Sequence, residues 1–66
     1  MKIVVNGRPR SYKGQATVSD VLKEMGAESG RVAVVVNGEV VGRDEFETRN
    51  LREDDQLEVL TYAAGG

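Results

Sequence analysis

Two Asn-Gly dipeptides constrain this chain more than any other feature. Each follows a largely β-branched apolar run, Ile3-Val4-Val5 before Asn6-Gly7 and Val32-Ala33-Val34-Val35-Val36 before Asn37-Gly38. Both residues of an Asn-Gly pair tolerate positive φ, which a type I′ hairpin turn requires, so each dipeptide predicts a tight reversal between two strands. The first hairpin joins Lys2–Val5 to a return strand over Arg8–Tyr12, where Pro9 marks an edge because it cannot donate to a ladder. The second joins Arg31–Val36 to a short partner, Glu39–Val41. Arg31–Val36 is apolar on both faces, the pattern of an interior strand.

One helix fits between the hairpins. Val18, Val21, Leu22 and Met25 fall at i, i+3, i+4 and i+7, a single apolar stripe. Thr17 stands as N-cap with Asp20 three residues on, close to a capping box, and Gly26 closes the segment as a C′ glycine. Residues 18–25 are therefore expected to form two turns with one buried face. Residues 42–50 read as a polar loop with one helical turn, pinned to the core by Phe46. Leu51 is a second anchor, Glu53-Asp54-Asp55 an acidic turn, and Gln56–Tyr62 the last strand. The fold class is α+β, a mixed four- to five-stranded sheet packed on one main helix. Residues 1–62 form one domain and residues 63–66 a flexible tail.

The last strand alternates. Leu57, Val59 and Thr61 share one face, Glu58, Leu60 and Tyr62 the other. Glu58 belongs in water, so Leu60 and Tyr62 are expected to be exposed, with Val4 on the same outer side. Exposed apolar residues beside a tail fit a partner-docking site, although single surface hydrophobes are also ordinary. Arg43, Arg49 and Arg52 read as a solvated loop that, clustered near the tail, can steer a partner.

Composition removes competing chemistry. The 66 residues include no Cys, His or Trp, so there is no thiolate nucleophile, no disulfide framework and no imidazole base or ligand. A chain this small buries one modest core. It has little room for a catalytic cleft, and we expect no enzyme, no catalytic residue and no metal site. Asp54 and Asp55 lack the glycine-spaced carboxylate loop of a calcium site. A net charge of −2 with 30% charged residues argues against nucleic acid. The longest apolar run, Val32–Val36, is far too short to span a bilayer, and no apolar signal segment follows Lys2. A soluble cytoplasmic protein is the expectation.

The sequence ends Ala63-Ala64-Gly65-Gly66. Read alone, the glycine pair is either a frayed end or a slim peptide whose α-carboxylate reacts, since glycine enters channels closed to residues with a Cβ. With these elements in order, the chain resembles the ThiS family of sulfur carriers, small ubiquitin-like β-grasp proteins related to MoaD. The resemblance covers essentially the whole length. It rests on Val34-Val35-Val36-Asn37-Gly38-Glu39-Val40-Val41 followed by Arg43, on Leu51 to Val59, and on Gly65-Gly66. Two positions depart from the family pattern. Gly42 stands where many such sequences carry proline, and Asp54 where an Asp-Gly-Asp turn has glycine.

The resemblance implies that a ThiF-like, E1-like enzyme uses ATP to adenylate Gly66, which is then converted to a thiocarboxylate. Gly65 and Ala64 would be the slim tail, and Leu60, Tyr62 and Val4 the docking residues. The carrier itself would bind no cofactor, and a ThiG-like thiazole synthase of thiamine biosynthesis would receive the sulfur. Other destinations stay open: molybdopterin, cysteine or tRNA thiolation, or a ubiquitin-like modifier joined to lysines.

Overall fold

A computed structural model describes residues 1–27 and 29–61. Strands β1 (Lys2–Val5) and β2 (Arg8–Ser11) form the first hairpin, helix α1 (Val18–Met25) follows, and β3 (Val32–Val36) with β4 (Glu39–Val41) forms the second. The last strand is β5 (Gln56–Thr61), and 3₁₀ turns occupy Ser29–Arg31 and Arg43–Glu45. The five-stranded sheet has the order β2-β1-β5-β3-β4. β5 pairs parallel with β1 and antiparallel with β3, so it occupies the middle of a mixed sheet.

Both Asn-Gly turns have positive φ at both residues, 52° and 81° for Asn6-Gly7, 51° and 85° for Asn37-Gly38. Proline-bearing β2 is indeed an edge, and β3 is interior. Two strand limits differ from the sequence expectation. β2 ends at Ser11, although the Tyr12 N–H still bonds to the Met1 carbonyl at 2.8 Å. β3 begins at Val32 because Arg31 closes the preceding 3₁₀ turn. The expected end of β5 at Tyr62 and the tail 63–66 lie outside the described residues.

Local chemistry accounts for α1. Thr17 Oγ1 accepts from the Asp20 N–H at 3.2 Å, and Asp20 Oδ2 accepts from the Thr17 N–H at 2.9 Å, which completes the capping box. The long loop supplies two more caps: the Arg49 carbonyl accepts from the Val18 N–H and the Phe46 carbonyl from the Ser19 N–H. The first-turn donors that a helix leaves unpaired are thereby met. Gly26 ends the helix in the left-handed region.

Core residues come from one face of every layer. Val18, Val21 and Leu22 of α1 meet Ile3, Val5, Val34, Val36, Leu57 and Val59 of the sheet. Phe46 and Leu51 are buried in the same cluster, 3% and 5% exposed, and anchor the loop. Both departures from the family pattern fit the backbone. Asp54 adopts φ +69°, the αL region that Asp enters more readily than most residues. Gly42 sits at φ −67° and ψ 150°, angles that proline would share. Among the described residues no helix is long and apolar enough to cross a membrane.

Candidate functional site

Directly paired residues share a sheet face, so the register defines the surface opposite α1. Val4 pairs with Pro9 and Gln56, Leu60 with Ala33, and Val35 with both Glu58 and Val40. Leu60 is 54% exposed and Val40 78%, whereas Val4, Ala33 and Val35 are half-buried. This arrangement refines the sequence reading. Val4 shares the outer face with Leu60, but Leu60 lies four positions along β5 from Gln56, the partner of Val4. That distance is about 13 Å along the strand. The apolar neighbours of Leu60 are instead Ala33 beside it and Val35 with Val40 one row away. Alternation along β3 marks Ala33 and Val35 as outward once Val34 and Val36 are assigned to the core. Val40 carries no such signal, because only the pairing of β4 with β3 reveals its face.

A shallow depression of about 360 Å³ lies between the two hairpin turns, lined by Val4, Val35, Gln56 and Glu58 with Gly7 and Gly38 at its rim. A larger cleft of about 540 Å³ is polar and includes Arg49, Arg52, Glu45 and Thr48. It lies beside Asp55, just before β5 begins. The tail lies outside the described residues, so its distance from the arginines is not defined. β5 runs for six residues, which puts its start, beside this cleft, roughly 17 Å from Thr61 at the usual strand rise. Arg43 is different: its guanidinium lies near Gly30, next to the end of β3 that pairs with Thr61.

Polar side chains hold β5 at its start and past its middle. Asn37 Oδ1 accepts from the Gln56 N–H at 3.0 Å, and Asn37 Nδ2 donates to Asp55 Oδ1 at 2.8 Å. Asp55 Oδ2 accepts from the Arg52 N–H at 2.8 Å, so both oxygens of this buried carboxylate are engaged, as burial of a charge demands. Further along, the Asn6 amide reaches Val59, the fourth of the six residues of β5. Sequence reading saw both asparagines only as turn formers; no local signal marks these contacts, which span 53 residues for Asn6 and Val59. Tyr62, Ala64, Gly65 and Gly66, assigned from sequence to docking, tail and modification, lie outside the described residues. Among the described residues, no group of three or more acidic, His or Cys side chains is placed to hold a metal ion.

One helix against a five-stranded mixed sheet, with two hairpins flanking a central last strand, defines a β-grasp, ubiquitin-like protein. The chain belongs to the ThiS family, whose model matches residues 3–66. It is 42% identical over 62 residues to the sulfur carrier protein ThiS of Thermus thermophilus, covering 94% of this chain and 95% of that one. It is also 35% identical over 66 residues to a thiazole synthase of Paramagnetospirillum magneticum. All of this chain is covered in that match but only 20% of the synthase, so the chain spans about one fifth of that relative's length. The crystal structure of the thiamine biosynthesis protein ThiS from Geobacter metallireducens superposes with a TM-score of 0.81 at 32% identity, over 100% of both chains.

Proposed function

We propose that the protein is a sulfur carrier for thiazole formation in thiamine biosynthesis, with Gly66 as the residue that carries the sulfur. The observation that supports this reading most is the near end-to-end match to a relative named as a sulfur carrier. The topology suits the role. The strand that leads toward the glycine pair is the central one, paired with β1 at its start and with β3 as far as Thr61, so the sheet is a base for delivery.

A carboxylate is a poor electrophile until it bears a good leaving group, and this chain has no group that supplies one. Activation comes from an E1-like, ThiF-like enzyme. A Gly66 carboxylate oxygen attacks the α-phosphorus of ATP and pyrophosphate leaves, giving an acyl adenylate. Sulfide, as HS⁻, then attacks the Gly66 carboxyl carbon, AMP departs, and a thiocarboxylate remains. Gly65 and Ala64 are the slim peptide that enters the activating site, while Leu60, Tyr62 and Val4 belong to the docking surface together with Val35 and Val40. The thiocarboxylate serves as sulfur nucleophile in a ThiG-like thiazole synthase. The likeness of this whole chain to a fifth of a thiazole synthase supports that partner.

Incubation with the activating enzyme, ATP and a sulfur source should give an oxygen-to-sulfur mass increase localised to Gly66 by tandem mass spectrometry. An unchanged mass, with the enzyme competent on its own carrier, would overturn the reading.

A further inference from the structure

The β1 side of β5 is covered by backbone for only half its length. The parallel ladder has two pairs, Val4 with Gln56 and Val5 with Leu57, and the chain then turns away through Asn6-Gly7 into β2. The Asn6 N–H still bonds to the Leu57 carbonyl at 2.9 Å. Beyond it, the N–H and carbonyl of Val59 would face a vacated edge. The Asn6 side chain fills that edge. Its Oδ1 accepts from the Val59 N–H at 2.8 Å, and its Nδ2 donates to the Val59 carbonyl at 3.3 Å. A side-chain amide carries the same donor and acceptor as a peptide group, so Asn6 lengthens the β1 ladder by one unit while its own backbone, at φ +52°, makes the turn.

We propose that Asn6 is a positioning residue for tail delivery: by holding Val59 on the side that β1 has left, it fixes the direction of β5 as far as Thr61, from which the sequence continues to Gly66. This role rests on the carrier reading above. On the other side, β3 pairs with β5 as far as Thr61, but a strand held by one neighbour twists more freely than one held by two. The second attachment at Val59 restrains that twist two residues before Thr61. Aim matters because a displacement of about 1 Å at a reacting group can lower a rate on the order of 100-fold. Neither obvious replacement does both jobs. Glycine makes the turn without the amide, and an ionised aspartate accepts from the Val59 N–H but cannot donate to its carbonyl.

The test compares wild type, Asn6→Gly and Asn6→Asp, each shown folded by circular dichroism at the assay temperature. ATP–pyrophosphate exchange is measured with the E1-like adenylating enzyme of the same organism, and amide exchange at Val59 with the free proteins. Asn6→Gly is expected to lower kcat severalfold with KM within about twofold, because the outer docking face is untouched, and to lose protection at Val59. Asn6→Asp keeps the acceptor for the Val59 N–H and loses the donor to the carbonyl, so it should retain more protection at Val59 than Asn6→Gly while its kcat still falls below wild type. A raised KM at constant kcat, unchanged kinetics, or unchanged Val59 exchange overturns the proposal. No exchange with the wild-type chain overturns the carrier reading and this role with it, and is told apart because it needs no variant.

Discussion

Replacing Asn37 by glycine isolates the polar clamp at the start of β5. Asn37 adopts φ +51°, so glycine keeps the turn, and its preference for positive φ offsets its extra freedom in the unfolded chain. What disappears is the amide. Asp55, only 9% exposed, loses the donor at 2.8 Å on Oδ1, a hydrogen bond to a charged group that contributes about 1.5–3 kcal/mol. The Gln56 N–H loses its acceptor at 3.0 Å, about 1 kcal/mol more. The sum, about 2–4 kcal/mol, is large for a 66-residue domain, whose total stability is roughly 3–10 kcal/mol. The melting temperature should fall by roughly 10–30 °C. Urea denaturation followed by circular dichroism reads the loss as a lower midpoint at constant slope. Asp55→Asn and the double variant complete a cycle, which must be non-additive because the two side chains share a contact. A loss under about 0.5 kcal/mol, or an additive cycle, would refute the claim that Asn37 and Asp55 form one unit.

Among the described residues the buried Tyr12 Oη has no hydrogen-bond partner, and burial raises its pKa, with Arg10 beside it as a smaller opposing influence. Tyr12→Phe should therefore be neutral or stabilising by up to about 1 kcal/mol in thermal melts, where a well-bonded tyrosine would lose stability. The Asp20 carboxyl is held below its ordinary value of 3.8, first by the Thr17 backbone N–H and then by the Thr17 hydroxyl. A depressed folded-state pKa stabilises above the unfolded value and is lost as pH falls through the folded one. The stability gap between wild type and Asp20→Asn should thus hold at neutral pH and close below 3.8, as measured by urea midpoints across pH. Leu60→Ser at a residue 54% exposed should change stability by less than about 0.5 kcal/mol while weakening binding to the adenylating enzyme, measured by calorimetry.

Local chemistry was legible in the sequence, and tertiary pairing was not. Asn6-Gly7 and Asn37-Gly38 announce their turns, Thr17 with Asp20 announces the helix start, and the alternation of Leu57, Glu58, Val59 and Leu60 assigns the faces of β5. Each of those signals spans only a few residues. The parallel pairing of β1 with β5 joins positions about fifty apart, and hydrophobic pattern alone does not distinguish which strand lies in the middle. The outer apolar surface was half visible for the same reason. Leu60 declares itself by periodicity, but Val40 joins it only through the register of β4 on β3. The second roles of Asn6 and Asn37 stayed hidden because a turn fully explains an Asn-Gly pair.

The central place of β5 also governs when the protein comes into being. Everything synthesised before Gln56 amounts to two hairpins and a helix, and within the sheet the hairpins are joined only when β5 pairs with both β1 and β3. Isolated two-stranded hairpins are marginal in water, and contacts of long sequence separation form late. On the ribosome, then, the nascent chain has no stable sheet until its last strand has emerged. A chain cut before Gln56 is therefore expected to lack a joined sheet and to be more accessible to proteases than the full-length chain.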